Sequence, residues 1–363
     1  MADARAELRR AKRVVVKIGS RTLASESAIF TRLAASVAGR RETAFVIVSS
    51  GAIALGIRKL GYRSRPKEMA RLQAAAAAGQ SLLMRAYEEA FAGRGMAVAQ
   101  VLLTHADLAD RARANNARAA LGALLDAGAV PILNENDSVA VDEIRFGDND
   151  QLAAMVAPLV AADLVVLLSD IEGLLDSEGR RISVVRDVAR DATPHVRKSV
   201  GSVGTGGMES KVEAARRATL AGANVVVADA RDPRALDGAL DGEDVGTLFV
   251  AARHRLSAKK YWIAFTLRPR GDLVLDRGAC AAVRAKGKSV LSVGVLGVRG
   301  DFRSGDAVRV VDADGVEIAR GLARCGAGDA AAVAGKARQE LPPELVELAV
   351  VIHADDLVVG GHD

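Results

Sequence analysis

Cysteine is almost missing from this chain: two residues in 363, Cys280 and Cys325. That excludes a disulfide framework and a cysteine zinc site, and it leaves two small residues suited to a core, with a single bridge between them open. Aromatic residues make up only 3% of the chain, so platforms on which single-stranded nucleic acid could stack are few. No apolar run approaches the roughly 20 residues that a membrane-spanning helix needs. The first stretch, Met1 to Lys12, is charged throughout and has no apolar segment, so neither a signal nor a transit peptide is expected. A cytoplasmic protein without a membrane partner is the resulting expectation.

What the chain does contain is ample core-forming material, 50% hydrophobic residues against 26% charged, at a length that suits two domains. A net charge of +5 and a pI near 9.3 favour anionic ligands, without separating nucleotide from nucleic acid. Glycine concentrates where it matters most in Gly204 to Lys211, G-T-G-G-M-E-S-K, which feeds a predicted helix over Ser210 to Gly222. Glycines permit turns in which successive N–H groups converge on a phosphate, and the helix N-terminus adds a favourable dipole. Lys211 puts a positive charge at that dipole's positive end, a local cost that a bound polyanion would offset. The stretch reads equally well as a flexible linker. It is not a Walker A loop: the nearest match, Ala282 to Ser289, has alanine in place of the first glycine.

Taken in order, apolar strands alternate with helices. Strands are expected at Arg13 to Ile18, Ala44 to Val48, Met96 to Leu103, Val130 to Leu133, Leu164 to Leu168 and Asn224 to Ala228. Helices are expected around Phe30 to Arg40, Lys67 to Phe91, Arg111 to Asp126 and Gly147 to Val160, with a hairpin from Val139 to Phe146. This pattern specifies an α/β fold with a mainly parallel open sheet sandwiched by helices. Polar groups gather at the carboxyl ends of the strands: Lys17 to Ser20, Ser49 to Gly51, Thr104, Asn134 to Asp137 and Ser169-Asp170. In open α/β sheets that rim is where ligands bind. Any one of these groups alone reads as turn or cap residues; five on one edge favour a site.

Between Phe249 and Gly271 the alternation stops, and Arg253, His254, Arg255, Lys259, Lys260, Arg268 and Arg270 occur with no acidic residue. Domains are therefore expected at 1–252 and 271–363, joined by a basic linker at 253–270. The second should be a small β domain packed as a barrel, from strands at Leu273 to Leu275, Val290 to Val293, Ala307 to Val311 and Gly315 to Leu322, with Asp314-Gly315 as a hairpin turn.

Lys17 and Lys211 are the candidates to meet a transferring phosphoryl group, a reaction that needs mainly positioning and positive charge. Asn134, Asn136, Asp137, Asp148, Asn149 and Asp150 supply the opposite chemistry, suited to an ammonium group or a metal-bound water. The run from Asp137 does not have EF-hand spacing.

V-V-K-I-G-S near the start, V-S-S-G-A-I at Val48, N-E-N-D at Asn134, G-D-N-D at Gly147, L-S-D-I-E-G-L at Leu168 and G-T-G-G-M-E-S-K together resemble the glutamate 5-kinase family, in order and in spacing, over nearly the whole chain. The resemblance implies an amino-acid kinase fold followed by a PUA domain, and ATP-dependent phosphorylation of the γ-carboxylate of L-glutamate to L-glutamyl 5-phosphate, the first step of proline synthesis. By matching motifs it places Lys17, Lys211 and Asp150 as catalytic residues, with Asp150 holding the two lysines. Ser50, Asn134, Asp137 and Asn149 would bind glutamate. Lys17, Ser169, Asp170 and the run Thr205, Gly206, Gly207, Met208, Glu209, Ser210 and Lys211 would bind ATP. Mg²⁺ would accompany ATP, held by no dedicated protein ligands. Where the family often has threonine this chain has Ser20 and Ser169, which keep the hydroxyl; Glu209 adds a negative charge to the phosphate loop. Glutamate's carboxylate is already ionised at neutral pH, so no base is required, and none of the five histidines falls in the motifs.

The resemblance further implies inhibition by L-proline, homo-oligomers (a dimer or tetramer) and a functional link to glutamyl phosphate reductase. The helix around Leu72 to Gly79, rich in small residues, suits self-association or a close-packed core. The alternative reading is RNA binding through the C-terminal domain and the basic linker, to be tested by a salt-steep gel shift.

Overall fold

The structure, a computed structural model, describes residues 4–25, 28–140, 149–196 and 207–360. The chain divides into two compact units, Met1–Arg255 and Leu256–Asp363. No helix among the described residues is long and apolar enough to cross a membrane.

In the first unit the short apolar runs become strands: β1 (Arg13–Ile18), β2 (Ala44–Ser49), β3 (Val98–Leu103), β4 (Val130–Glu135), β5 (Leu164–Ser169), β6 (Val184–Val185), β7 (Asn224–Asp229) and β8 (Thr247–Phe249). They form one sheet in the order β3-β4-β2-β1-β5-β7-β8-β6. Pairing is parallel from β3 through to β7; β8 runs antiparallel to β7, and β6 lies parallel to β8. β3 starts at Val98, two residues later than its apolar run suggests. From β1 the chain builds first toward β2 and then, from β5, toward the other side. The order therefore reverses at β1, which places a crevice at the carboxyl ends of β1, β2 and β5.

Both faces of the sheet are buried, which explains runs without polar alternation. Val14, Val16 and Ile18 pack with Ile29 and Leu33 of α2 (Ala28–Ala38) and with Leu83 and Tyr87 of α4 (Met69–Ala92). Val15, Val48 and Leu167 face the other way, against Leu152 and Val156 of α7 (Asn149–Leu159) and Val212 and Ala215 of α9 (Met208–Leu220). Between these elements run α1 (Ser20–Ser25), α3 (Ala52–Lys59), α5 (His105–Ala109), α6 (Arg111–Asp126) and α8 (Val188–Asp191). Because side chains alternate along a strand, Lys17 shares the face of Val15 and is directed toward α7 and α9.

Helices α3 and α4 touch through glycine. A Cβ on Gly56 would lie 1.7 Å from the Ala75 carbonyl oxygen, and one on Gly79 would lie 1.7 Å from that of Ala52. The small-residue stripe of α4 is thus occupied inside the chain, and it supplies no surface argument for self-association. Of the expected hairpin, Val139 and Ala140 are seen in a turn in which both amides donate to the Asn136 carbonyl; the remainder lies outside the described residues.

The second unit opens with a helical turn at Ala258–Tyr261 and a π-helical turn at Trp262–Thr266, within the stretch expected as linker; Tyr261 and Ile263 are buried. β9 (Gly271–Leu275), β11 (Val295–Gly300), β12 (Ala307–Val311), β13 (Glu317–Leu322) and β15 (Leu357–Val359) form a five-stranded sheet. β10 (Val290–Leu291) and β14 (Val350–Ile352) pair separately, and both sheets line one core around Leu273, Val308, Val310 and Ile352. β10 ends at Leu291 because Ser292–Gly294 turn into a 3₁₀ helix. The β12-β13 hairpin turns at Asp314-Gly315 as expected: Gly315 has φ +82°, and Asp312 Oδ1 accepts from the Asp314 and Val316 amides. Both cysteines are free and buried, so no bridge joins them.

Candidate active site

Rim groups from β1, β2 and β4 form two adjoining constellations, and α7 delivers the central residue of each. Thr104 instead caps α5 in a reciprocal pair of hydrogen bonds with Asp107. At the first turn of α7, Asp150 is fully buried and faces Lys17 and Lys211, themselves 6% and 2% exposed. Lys17 Nζ lies 2.5 Å from Asp150 Oδ1, and Lys211 Nζ 3.1 Å from Oδ2. Burial alone would push the Asp150 carboxyl up; the two ammonium charges outweigh it and hold the group below the usual carboxylate range. Asp170 also feels the charge of Lys211, so positive and negative groups alternate across this end of the sheet. Lys211 lies in the first turn of α9, so the positive end of that helix's dipole adds to the local positive field.

The preceding residue, Asn149, serves the other constellation, about 100° away around the helix. Its Nδ2 donates to the Ser49 carbonyl at 2.9 Å, to Ser50 Oγ at 2.7 Å and to Asn134 Oδ1 at 3.1 Å. Asn134 Oδ1 also accepts from the Glu135 amide at 2.9 Å, and its Nδ2 donates to Gln80 Oε1 at 3.0 Å. Tyr87 Oη donates to Ser49 Oγ at 2.9 Å; burial of this phenol pushes its pKa well above the ordinary value. Ser50 is followed by Gly51, whose φ of +100° turns the chain into α3. Asp137 is half-buried beyond the end of β4.

At the end of β5, Ser169 Oγ donates to Asp170 Oδ1 at 3.1 Å, and Arg21 of α1 pairs with Asp170 Oδ2. Burial would raise the Asp170 carboxyl, but its own backbone amide and Arg21 lower it. Gly207 caps α9, and Met208, Glu209 and Ser210 form its first turn; Gln151 Nε2 of α7 donates to the Ser210 carbonyl at 3.1 Å, tying the two helices together. Thr205 and Gly206 lie outside the described residues, as do Gly147 and Asp148.

Lys17, Lys211 and Asp150 are therefore brought together, as are Ser50, Asn134 and Asn149. Sequence reasoning missed Gln80, Tyr87 and Arg21. Gln80 follows the alanine run and Gly79 and stands seven residues, two helical turns, before Tyr87, a signal that both occupy one face.

Among the described residues no three His, Cys, Asp or Glu side chains cluster to hold a metal ion, and Asp150 directs both oxygens at lysines.

Comparison with known proteins fits this geometry. Residues 12–229 match the amino acid kinase family, and residues 271–343 match the PUA domain. The chain is 48% identical over 328 residues to the glutamate 5-kinase of Geobacter metallireducens, covering 87% of this chain and 88% of that protein. It is 45% identical to the glutamate 5-kinase of Myxococcus xanthus over 369 residues, 98% of each. Among solved structures, the N-acetylglutamate synthase of Neisseria gonorrhoeae, complexed with coenzyme A and L-arginine, superposes with a TM-score of 0.51 at 16% identity, covering 69% of this chain and 64% of that one. At that identity the likeness concerns the fold alone.

Proposed function

The chain belongs to the amino acid kinase family, in its glutamate 5-kinase branch, and from that premise we propose how its rim carries out ATP-dependent phosphorylation of L-glutamate. The γ-carboxylate oxygen attacks the γ-phosphorus of ATP, a new O–P bond forms as the bond to the β-phosphate oxygen breaks, and ADP leaves with the electron pair. The products are L-glutamyl 5-phosphate and ADP. A glutamate side chain ordinarily titrates at about 4.3, so the nucleophile is ionised at neutral pH and no base takes part.

The barrier is repulsion between two anions. Lys17 and Lys211 lower it by neutralising charge on the moving phosphoryl oxygens, and Asp150 is a positioning residue that keeps both ammonium groups aimed. Gly207 and the first turn of α9, with Thr205, Gly206, Ser169 and Asp170, hold the ATP side. Ser50, Asn134, Asp137 and Asn149 hold glutamate. Mg²⁺, when bound with ATP, offsets charge on the phosphates. The observation that carries this reading is the buried Asp150 shared by two buried lysines at the carboxyl edge of the sheet, which places two ammonium groups together in the crevice.

Trapping with hydroxylamine tests it. Purified protein with ATP, Mg²⁺ and L-glutamate should yield glutamyl hydroxamate, whereas N-acetylglutamate, aspartate and UMP should release little ADP. Turnover with one of those acceptors and none with glutamate would discard the substrate and keep the fold.

To the same reading belong inhibition by L-proline through part of the glutamate site, self-association, and delivery of the acyl phosphate to glutamyl phosphate reductase. The first predicts inhibition competitive with glutamate; a non-competitive pattern removes the shared site.

A further inference from the structure

The two asparagine amides of the Asn149 constellation each have their direction fixed by a backbone group. The Glu135 N–H can only donate, so the atom it meets on Asn134 must be the oxygen. The Ser49 carbonyl can only accept, so the atom it meets on Asn149 must be the nitrogen. Two consequences follow. Asn149 spends its two N–H hydrogens on three acceptors, which leaves Oδ1, on the opposite edge of the amide, to accept from a ligand. Asn134 in turn presents Nδ2 to α4, where Gln80 Oε1 receives it at 3.0 Å and Gln80 Nε2 passes the chain on to Gln100 Oε1 at 3.2 Å.

Asn134 is 2% exposed, so without Gln80 its N–H₂ would lose the acceptor that keeps it from being buried and unsatisfied. The amide plane would then rotate in search of another acceptor, and Asn134 Oδ1 would leave Asn149. Gln80 itself is placed with little freedom. Its neighbour Gly79 is pressed against the Ala52 carbonyl of α3, the helix that begins directly after Ser50 and Gly51. Tyr87, on the same face of α4, fixes Ser49 at the end of β2.

We propose that Gln80 is a positioning residue for glutamate: through Asn134 it sets the amide of Asn149, so that an acceptor oxygen faces the substrate's α-ammonium group. The inference rests on the assignment of Asn134 and Asn149 to the glutamate site. Gln80 belongs to α4, which packs on the face of the sheet opposite the lysine cluster, so its effect falls on binding of one substrate and not on phosphoryl transfer.

The test is steady-state kinetics of three variants of the full chain, with thermal melts alongside. Gln80→Met, of similar length but without the acceptor, should raise the glutamate KM about three- to ten-fold, the range one neutral hydrogen bond supports, with kcat, the KM for ATP and the melting temperature close to the parent's. Gln80→Glu, which keeps an oxygen toward Asn134, should restore most of that affinity. Asn149→Ala separates the two levels of the argument. If it raises the glutamate KM while Gln80→Met leaves it within two-fold, the role of Gln80 is lost and the site stands. If Asn149→Ala itself leaves the glutamate KM unchanged, the site assignment and the proposal fall together. A parallel change of both KM values, kcat and melting temperature in Gln80→Met would mark a merely structural residue and overturn the proposal. Should Gln80→Met not fold, Gln80→Ala carries the same expectations, since the side chain is only part-buried.

Discussion

Asp150 divides its carboxylate between two lysines that arrive from different parts of the sheet: Oδ1 lies 2.5 Å from Lys17 Nζ at the end of β1, and Oδ2 lies 3.1 Å from Lys211 Nζ in the first turn of α9. One carboxylate thus fixes two ammonium groups side by side. The arrangement makes the three residues separable by mutation.

Lys17→Gln and Lys211→Gln should each lower turnover by about 10²- to 10³-fold, the scale for losing one donor to the charge developing in the transition state, with a small change in glutamate KM. Steady-state kinetics with saturating ATP decides this. Near-normal turnover in either variant would remove that lysine from the reaction.

Asp150→Asn should destabilise the chain by about 3–5 kcal/mol, because two buried ammonium groups lose their counter-charge. ATP should recover part of the loss, since its phosphates bind the folded state where the carboxylate stood in for them. The pH dependence has a definite sign. A carboxyl whose folded pKa is depressed stabilises the fold above its unfolded value, 3.8, and loses that contribution as pH falls through the folded value. The gap in denaturant midpoint between parent and variant should therefore stay constant from pH 7 to about 5 and close below about 4.

Asp244 offers a second acid-sensitive contact. It is bonded by Arg181 and Ser183 and lies near the buried Arg5 guanidinium, and these hold its carboxyl down at about 2. Asp244→Asn should cost stability at neutral pH, and the difference should vanish only as pH approaches 2. Chemical shifts of the carboxyl carbon across that range would report the titration directly.

Gly56→Ala and Gly79→Ala should each destabilise by about 1–3 kcal/mol or more, because the added carbon meets a backbone carbonyl that cannot move without separating α3 from α4. Gly122→Ala is the control. It lies within α6 with nothing within 4 Å of the added carbon, and it should stabilise by about 0.5–1 kcal/mol. Thermal melts of the three variants would separate close approach from helix propensity.

The strands were legible because burial on both faces requires uninterrupted apolar runs. β1 and α6 have the bounds that their runs suggest, while β2, β4, β5 and β7 extend one or two residues further, into Ser49, Glu135, Ser169 and Asp229. Those extra residues are polar because they reach the rim, where pattern alone cannot tell a strand end from a turn. β10 was overestimated for a related reason: Val293 continues the apolar run, but the backbone has already turned at Ser292. The stripe of small residues on α4 was ambiguous by nature, since alanine and glycine allow close approach without saying to what. Gln80 and Tyr87 were passed over because an isolated polar residue in a helix has no meaning until its neighbour is known.

By itself, then, the sequence determined the period-two alternation that sends Lys17 to one face of the sheet, the glycines that permit the turns, and the motif set that places the chain in its family. Tertiary structure alone decided that β1 lies between β2 and β5, that α7 crosses the resulting crevice, and that Asp150 meets two lysines while its neighbour Asn149 meets Ser50 and Asn134. The reason is one of range: side-chain alternation and helical spacing act over a few residues, whereas strand order is settled by how whole faces bury one another.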